Sequence, residues 1–343
     1  MFLIDKYTPT NINDLFFHKD ELNKLRIMAQ DSSIPHLIFN GPEGVGKQTL
    51  IKFFLELLYE DPSVNITTDT VYSTNNNSGS SNKDDIVVKQ SNYHIIIEPQ
   101  NNNSDRYLIQ DIVKEYAKKK LLFKSKKNFK VVLINNIDNL SYHAQTSLRR
   151  TMEVYSDNCR FIMWSTSLSS ILEPLRSRCN IFNVNRPSFD EQYIFLLQIC
   201  YKEKIRYDYD FLMNIISRGN GNIKKLLWSL ELTKLDIPIE GRHEQLVNSI
   251  TKMLVSTDIN NLTHITDMIY DLIITNITPT NIMTDILLAL LNHKKISDKS
   301  KIKITEIVAD HEHNLIRGRR DIIHMESMMI NIMHTLYRDK QNI

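Results

Sequence analysis

At 343 residues the chain is long enough for two or three domains, each with its own core. Hydrophobic residues make up 42% and charged residues 24%, ordinary values for a soluble globular protein and far from those of a disordered chain. The formal charge of +2 does not mark a nucleic-acid binder, so any DNA affinity has to come from local clusters of Lys and Arg.

Cys159, Cys179 and Cys200 are widely spaced and form no CxxC pair, the usage of reduced thiols rather than of a disulfide or zinc site. The N-terminus carries no charged-then-apolar leader, and no apolar run approaches the ~18 residues of a membrane span. The expectation is a soluble, intracellular protein.

In chain order, residues 37–40 (LIFN) form an apolar run suited to a buried strand of a mostly parallel sheet. A glycine-rich stretch, residues 41–47, leads from it into an apolar-rich helix, QTLIKFFLELLY. Residues 65–72 and 86–88 are β-rich and flank the low-complexity segment NNNSGSSN (residues 75–82). That segment is either the tip of a hairpin insertion or a disordered loop without function. From Asp105 to Lys120, Leu108 with Ile112, Ile109 with Val113, and Val113 with Ala117 stand four apart, which predicts an amphipathic helix. VVLI (residues 131–134) and residues 161–164 predict two further strands. A helix between them, about residues 142–155, puts Leu148, Met152 and Tyr155 on one face with Arg149 and Arg150 beside it. Strands alternating with helices imply an α/β core. After Pro187 the patterns turn helical through to Tyr337, with interruptions at 219–221, Pro238, Pro279 and 294–301 and a division near residue 240.

The run Gly41-Pro42-Glu43-Gly44-Val45-Gly46-Lys47-Gln48-Thr49, between strand and helix, has the composition of a phosphate-binding loop. Glycines allow successive backbone N–H groups to turn inward, the helix N-terminus adds positive dipole, and the lysine reaches the terminal phosphates. The next position departs from the pattern. An active site needs Ser or Thr directly after the lysine to hold Mg²⁺, and here Gln48 stands there with Thr49 one residue late. After VVLI an active ATPase carries an Asp for the metal and a Glu to polarise water; this chain has Asn135 and Asn136. An amide is no general base near neutral pH and neutralises no metal charge. Asp138 lies too far along to be an obvious substitute. Nucleotide binding without appreciable hydrolysis is the expectation.

Several motifs, in order, resemble the replication factor C (clamp loader) small subunits of the AAA+ superfamily. They are Ile4-Asp5-Lys6-Tyr7-Thr8-Pro9 (with Thr8 where that family has Arg), Ser91-Asn92-Tyr93-His94, Asn103-Ser104-Asp105-Arg106, AQTSLRRTMEVYS (residues 144–156), Ser177-Arg178-Cys179, and His311-Glu312-His313 before a long terminal helix. The resemblance covers essentially the whole chain and is closest to the end-position subunit with a degenerate ATPase site. It implies an α/β AAA+ module (residues 1–186, a RecA-like parallel sheet, with a helical lid at 187–240) and an all-α collar at 241–343.

It further implies ATP or ADP as ligand, with Mg²⁺ disfavoured at this chain's own site, and Tyr7 and Pro9 on the adenine side. Lys224 stands at the lid's nucleotide-sensing position and Thr166 at the polar sensor of a strand end. Arg178 resembles an arginine finger acting on a neighbouring subunit's ATP; the alternative is an Arg capping the carbonyls of a preceding helix. Arg106, with Arg149 or Arg150, would face DNA, and the alternative is a solvated helix face. Leu122 and Phe123 either plug a groove on the clamp or finish the helix core. The basic cluster Lys118, Lys119, Lys120, Lys124, Lys126 and Lys127 reads as solvated charge at least as well as DNA contact. The implied partners are the other subunits of a hetero-oligomeric ring, a sliding clamp of the proliferating cell nuclear antigen type, and primer–template DNA held without sequence preference. No membrane partner is implied. The compartment would be the site of DNA replication, nuclear in a cell or a replication compartment in a virus.

Overall fold

The computed structural model describes residues 2–31, 33–73, 85–99, 105, 108–118, 127–237, 241–258, 260–275, 277–294, 296–318 and 320–341. The chain divides into two compact units, Met1–Leu235 and Asp236–Ile343.

The first unit opens with a short helix, α1 (Leu3–Lys6), and α2 (Lys19–Gln30), then β1 (His36–Asn40), α3 (Lys47–Tyr59), β2 (Thr68–Ser73), β3 (Asp85–Gln90) and β4 (His94–Ile97). Next comes α4, wound as a π-helix over Leu108–Val113 and as an α-helix over Lys114–Lys118. β5 (Lys130–Ile134), α5 (Tyr142–Val154), β6 (Cys159–Ser165), α6 (Glu173–Arg176) and β7 (Cys179–Asn183) complete the α/β part. Three helices follow: α7 (Phe189–Glu203), α8 (Tyr209–Gly219) and α9 (Ile223–Lys234).

The sheet has the order β2-β3-β4-β5-β6-β1-β7. Strands β4 through β7 run parallel around β1, while β2 and β3 are antiparallel additions at one edge. Alternate side chains of the central strands point to opposite faces. Leu37, Phe39, Val131, Leu133 and Ile162 pack with α2 and α3 in one core cluster. Ile38, Ile95, Val132, Ile134, Phe161 and Met163 pack with α4 and α5 in the other. Both faces are covered, which is why these strands read as continuous apolar runs.

The strands expected at 37–40, 131–134 and 161–164, and the pair flanking the insertion, are present. β4 and β7 are additional: HIII is short, and CNIFN is half polar because β7 is an edge strand with partly exposed residues. The expected helix at 105–120 differs in winding. Its apolar pairs Leu108/Ile112, Ile109/Val113 and Val113/Ala117 are all buried, yet Leu108–Val113 is π-helical. The break expected at Pro279 is present: one helix ends at Ile274 and the next starts at Pro279, whose missing N–H costs nothing in a first turn. The tip at residues 75–82, Arg106, Leu121-Leu122-Phe123 and Lys119, Lys120, Lys124 and Lys126 lie outside the described residues.

The second unit is helical: α10 (Arg242–Ser256), α11 (Asn261–Ile274), α12 (Pro279–Leu291), α13 (Asp298–Arg317) and α14 (Asp321–Gln341). Its core joins Ile250, Leu254, Ile269 and Ile286 to Met325, Met328, Met329 and Ile332 of α14. Among the described residues no helix is long and apolar enough to cross a membrane.

Candidate nucleotide-binding site

β1 hands its chain to the glycine-rich loop at a point where two neighbours close in. Gly41 N–H donates to the Ser165 carbonyl at 3.2 Å, and Val184 N–H donates to the Asn40 carbonyl at 2.8 Å. A Cβ at Gly41 would stand 2.2 Å from the Val184 oxygen, a backbone atom that cannot yield, so no other residue fits. Gly44 takes φ +72°, and its carbonyl accepts from Ile223 N–H at 3.0 Å, so the loop is braced by the start of α9. Lys47, only 5% exposed, folds back over the loop and donates to the carbonyls of Gly41 and of Pro42, the latter at 3.0 Å. Its ammonium lies 4.9 Å from the centre of the Trp164 ring. Burial pushes the Lys47 amine down to about 8, against the opposing pull of the Asp138 and Glu43 carboxylates.

Beside this loop is a cleft of about 120 Å³. Tyr7 and Pro9 line one wall, Gly44, Val45, Gly46 and Thr49 another, and Ile223, Lys224 and Leu227 a third. Phe16, Phe17 and Phe195 form a tilted aromatic group at its base, with centroids 4.8–5.2 Å apart. His18 joins the cleft to the loop, its Nε2 donating to the Val45 carbonyl at 2.8 Å. The structure therefore gathers Tyr7, Pro9, Gly44, Val45, Gly46, Thr49 and Lys224 around one space, apolar on one side and lined by loop backbone on the other. The aromatic base, Phe16, Phe17 and Phe195, carries no local motif and was not legible as a site.

Gln48 is exposed and turned elsewhere, onto a second cleft of about 260 Å³ shared with Glu98 and Asn135. Asn135, 8% exposed at the end of β5, has both ends of its amide engaged. Its Oδ1 accepts from Trp164 Nε1 at 2.9 Å, and its Nδ2 donates to Glu98 Oε1 at 3.0 Å. Asn136 takes the left-handed conformation (φ +49°), which Asn tolerates, and starts a turn over Ile137–Asn139. Asp138 is not free to replace the missing carboxylates. One oxygen accepts from both the backbone N–H and the hydroxyl of Thr166, each at 2.6 Å, and the other accepts from Ser170 Oγ at 2.8 Å. Thr166, the sensor candidate, is thus turned toward Asp138. For Mg²⁺ the donor set is poor: an amide stands at each position where the metal needs a hydroxyl or a carboxylate. A nucleotide fits better, because the glycine cradle and Lys47 are complete.

Arg178 lies between α6 and β7. Its NH1 donates to the Pro174 carbonyl at 2.6 Å, and its NH2 pairs with Glu153 of α5 at 2.6 Å. The first contact is the carbonyl-capping geometry of the alternative reading, realised in this chain by itself. Glu153 also lies 3.9 Å from Arg149 Nε. Arg150 is exposed and borders a cleft of about 690 Å³ between α4 and α5, with Lys114 and His143. Gln145, 3% exposed, joins three segments: it donates to the carbonyls of Leu140 and Ser170 and accepts from Leu172 N–H.

A central parallel sheet, a phosphate-type loop at the carboxyl end of β1 and a helical bundle bracing that loop define an AAA+ module, here followed by an all-helical unit. The sequence matches the family model for DNA polymerase III, delta subunit, over residues 17–188. It matches that for the C-terminal domain of replication factor C subunit 3 over residues 243–340. It is 38% identical to a replication factor C small subunit of Acanthamoeba polyphaga mimivirus, across 98% of this chain and 91% of the relative. It is 30% identical to replication factor C subunit 3 of Arabidopsis thaliana (99% and 98% covered) and 31% to that of Homo sapiens (98% and 96%). The chain belongs to the replication factor C small-subunit family.

Proposed function

We propose that the chain is a subunit of a clamp loader that binds ATP or ADP without appreciable hydrolysis at its own site and completes the site of a neighbouring subunit. One observation carries the first half. The phosphate loop and the cleft beside it are intact, while the end of β5 presents two amides, one of them locked between Trp164 and Glu98. Binding rests on loop backbone and Lys47, which are present; turnover rests on a metal-holding and a water-polarising carboxylate, which are replaced. Arg178 is the group for the neighbour's site. It stands exposed at the end of a short helix, and its exposed partner Glu153 can be exchanged for a phosphate at little cost.

In the same reading residues 1–186 form the RecA-like part, 187–240 the lid and 241–343 the collar joining the subunits of the ring. Arg106, Arg149 and Arg150 contact primer–template DNA through phosphates, and Leu122 with Phe123 contacts the sliding clamp. A second reading has one observation in its favour: Gln48, Glu98 and Asn135 share a cleft, so Glu98 could supply a carboxylate for hydrolysis. The deciding experiment is steady-state turnover by the purified chain beside equilibrium binding of an ATP analogue. Binding without turnover, with binding lost in Lys47→Ala, is the expected result. Turnover matching active clamp-loader ATPases and abolished by Glu98→Gln would establish the second reading instead.

A further inference from the structure

The cleft has two kinds of wall, and they are attached to different parts of the fold. The loop side grows from β1. The opposite side, Ile4, Tyr7, Thr8 and Pro9, belongs to an N-terminal segment that has to be held by something. Leu3 is 1% exposed and its backbone N–H donates to Glu231 of α9 at 2.6 Å. Phe2 stacks edge-on against Trp228 of α9, centroids 5.7 Å apart. The strongest tie is Glu203, the last residue of α7. One of its oxygens accepts from Lys6 Nζ at 2.6 Å and from the Tyr7 hydroxyl at 2.8 Å; the other accepts from Lys234 Nζ of α9 at 2.9 Å. The Glu203 side chain is only 7% exposed. Among the described residues, the hydrogen bonds and ion pairs that leave residues 2–9 for a distant part of the chain all end on α7 or α9.

We infer that Glu203 is a positioning residue for nucleotide binding: it fastens the Tyr7 wall of the cleft to the helices of the lid. Glu203 does not line the cleft and reaches it only through Tyr7. Two cations and a phenol converge on one carboxylate, and charged acceptors of this kind make the stronger hydrogen bonds. Their effect is visible on both partners. The three donors hold the Glu203 carboxyl down at about 2, and burial with the Glu203 contact raises the Tyr7 phenol to about 12. Lys6 and Lys202 each approach the Tyr7 ring to 5.9 Å, so the ring is held on its faces as well as by its hydroxyl. Without Glu203, Lys6, Tyr7 and Lys234 lose a common anchor, and the base side of the cleft loses its shape while the phosphate side keeps its own.

This inference rests on the nucleotide reading above, and the test separates the two. ADP and inorganic tripolyphosphate are titrated calorimetrically into the full chain and into Glu203→Ala. Tripolyphosphate reports the loop alone; ADP reports loop and base wall together. Loss of the anchor should lower ADP affinity about tenfold, the scale of one or two charge-assisted hydrogen bonds, and leave tripolyphosphate binding unchanged. Glu203→Gln preserves volume and guards against a folding defect; it should show the same selective loss, smaller in size. Unchanged ADP affinity in both variants, or an equal loss for both ligands, would overturn the role of Glu203. A wild-type chain that binds neither ligand would instead overturn the nucleotide reading itself.

Discussion

Lys47 ties nucleotide affinity to pH in a way that can be worked out from its surroundings. In the free protein Lys47 is 5% exposed, its ammonium donates to two carbonyls and faces the Trp164 ring, and burial holds its pKa at about 8. Bound phosphate would sit against that ammonium and favour the charged form, raising the pKa back toward its ordinary 10.5. As pH rises through about 8 the free protein loses this proton while the complex keeps it. Binding then takes up a proton, and affinity falls with increasing pH. Between pH 7 and pH 9 the loss is roughly tenfold, or about 1.4 kcal/mol. ADP is the suitable ligand, because its phosphates are essentially fully ionised over most of that range. Calorimetry across the range in two buffers of different ionisation enthalpy gives both the slope and the proton count. Lys47→Arg should bind more weakly but with a flat profile, since a guanidinium stays charged. A flat profile in the wild type, or an equal slope in Lys47→Arg, would refute the reasoning.

Two further outcomes follow from the same structure. His36 and His94 are both held neutral, at about 4, chiefly by burial, and Nδ1 of His36 accepts the Phe161 backbone N–H at 3.1 Å. Their folded values lie below the ordinary 6.5, so the stability they contribute is complete above that value and is lost as pH falls toward 4. Denaturant unfolding at pH 5 should show a loss of roughly 2 kcal/mol per histidine relative to pH 8, and His94→Gln should remove its share of that dependence. In a reconstituted ring, Arg178→Ala should leave this chain's nucleotide affinity and assembly intact and depress DNA- and clamp-stimulated hydrolysis at the adjoining subunit's site by roughly 10³-fold or more, with little rescue by Arg178→Lys. Full stimulated activity would make Arg178 a structural arginine capping α6.

What could be read from the residues alone is what depends on local order. The apolar runs at 37–40, 131–134 and 161–164 had to be strands because each is short, continuous and bounded by turns, and all three lie inside the sheet. The loop at 41–47 is legible because Gly41, Gly44 and Gly46 stand close together in sequence and its function is backbone geometry. The degenerate site is legible for the same reason: the replaced groups, Gln48, Asn135 and Asn136, occupy fixed offsets from a strand and a lysine. Edge strand β7 and the short β4 escaped notice, since partial exposure or brevity blurs the hydrophobic signal that marks a central strand.

The remainder depends on pairs far apart in the chain, and no window of sequence contains both partners. That Asn135 is fixed by Trp164 and Glu98, that Asp138 is consumed by Thr166 and Ser170, and that Arg178 meets Glu153 are results of strand order and helix packing. Glu203 is the extreme case. In sequence it is one acid in the run YKEK at a helix end, which reads as solvated charge. Only folding brings Lys6 and Tyr7, nearly two hundred residues earlier, and Lys234, a helix pair later, to the same carboxylate. A charge takes its chemistry from what surrounds it, and for Glu203 those surroundings exist only in the tertiary structure.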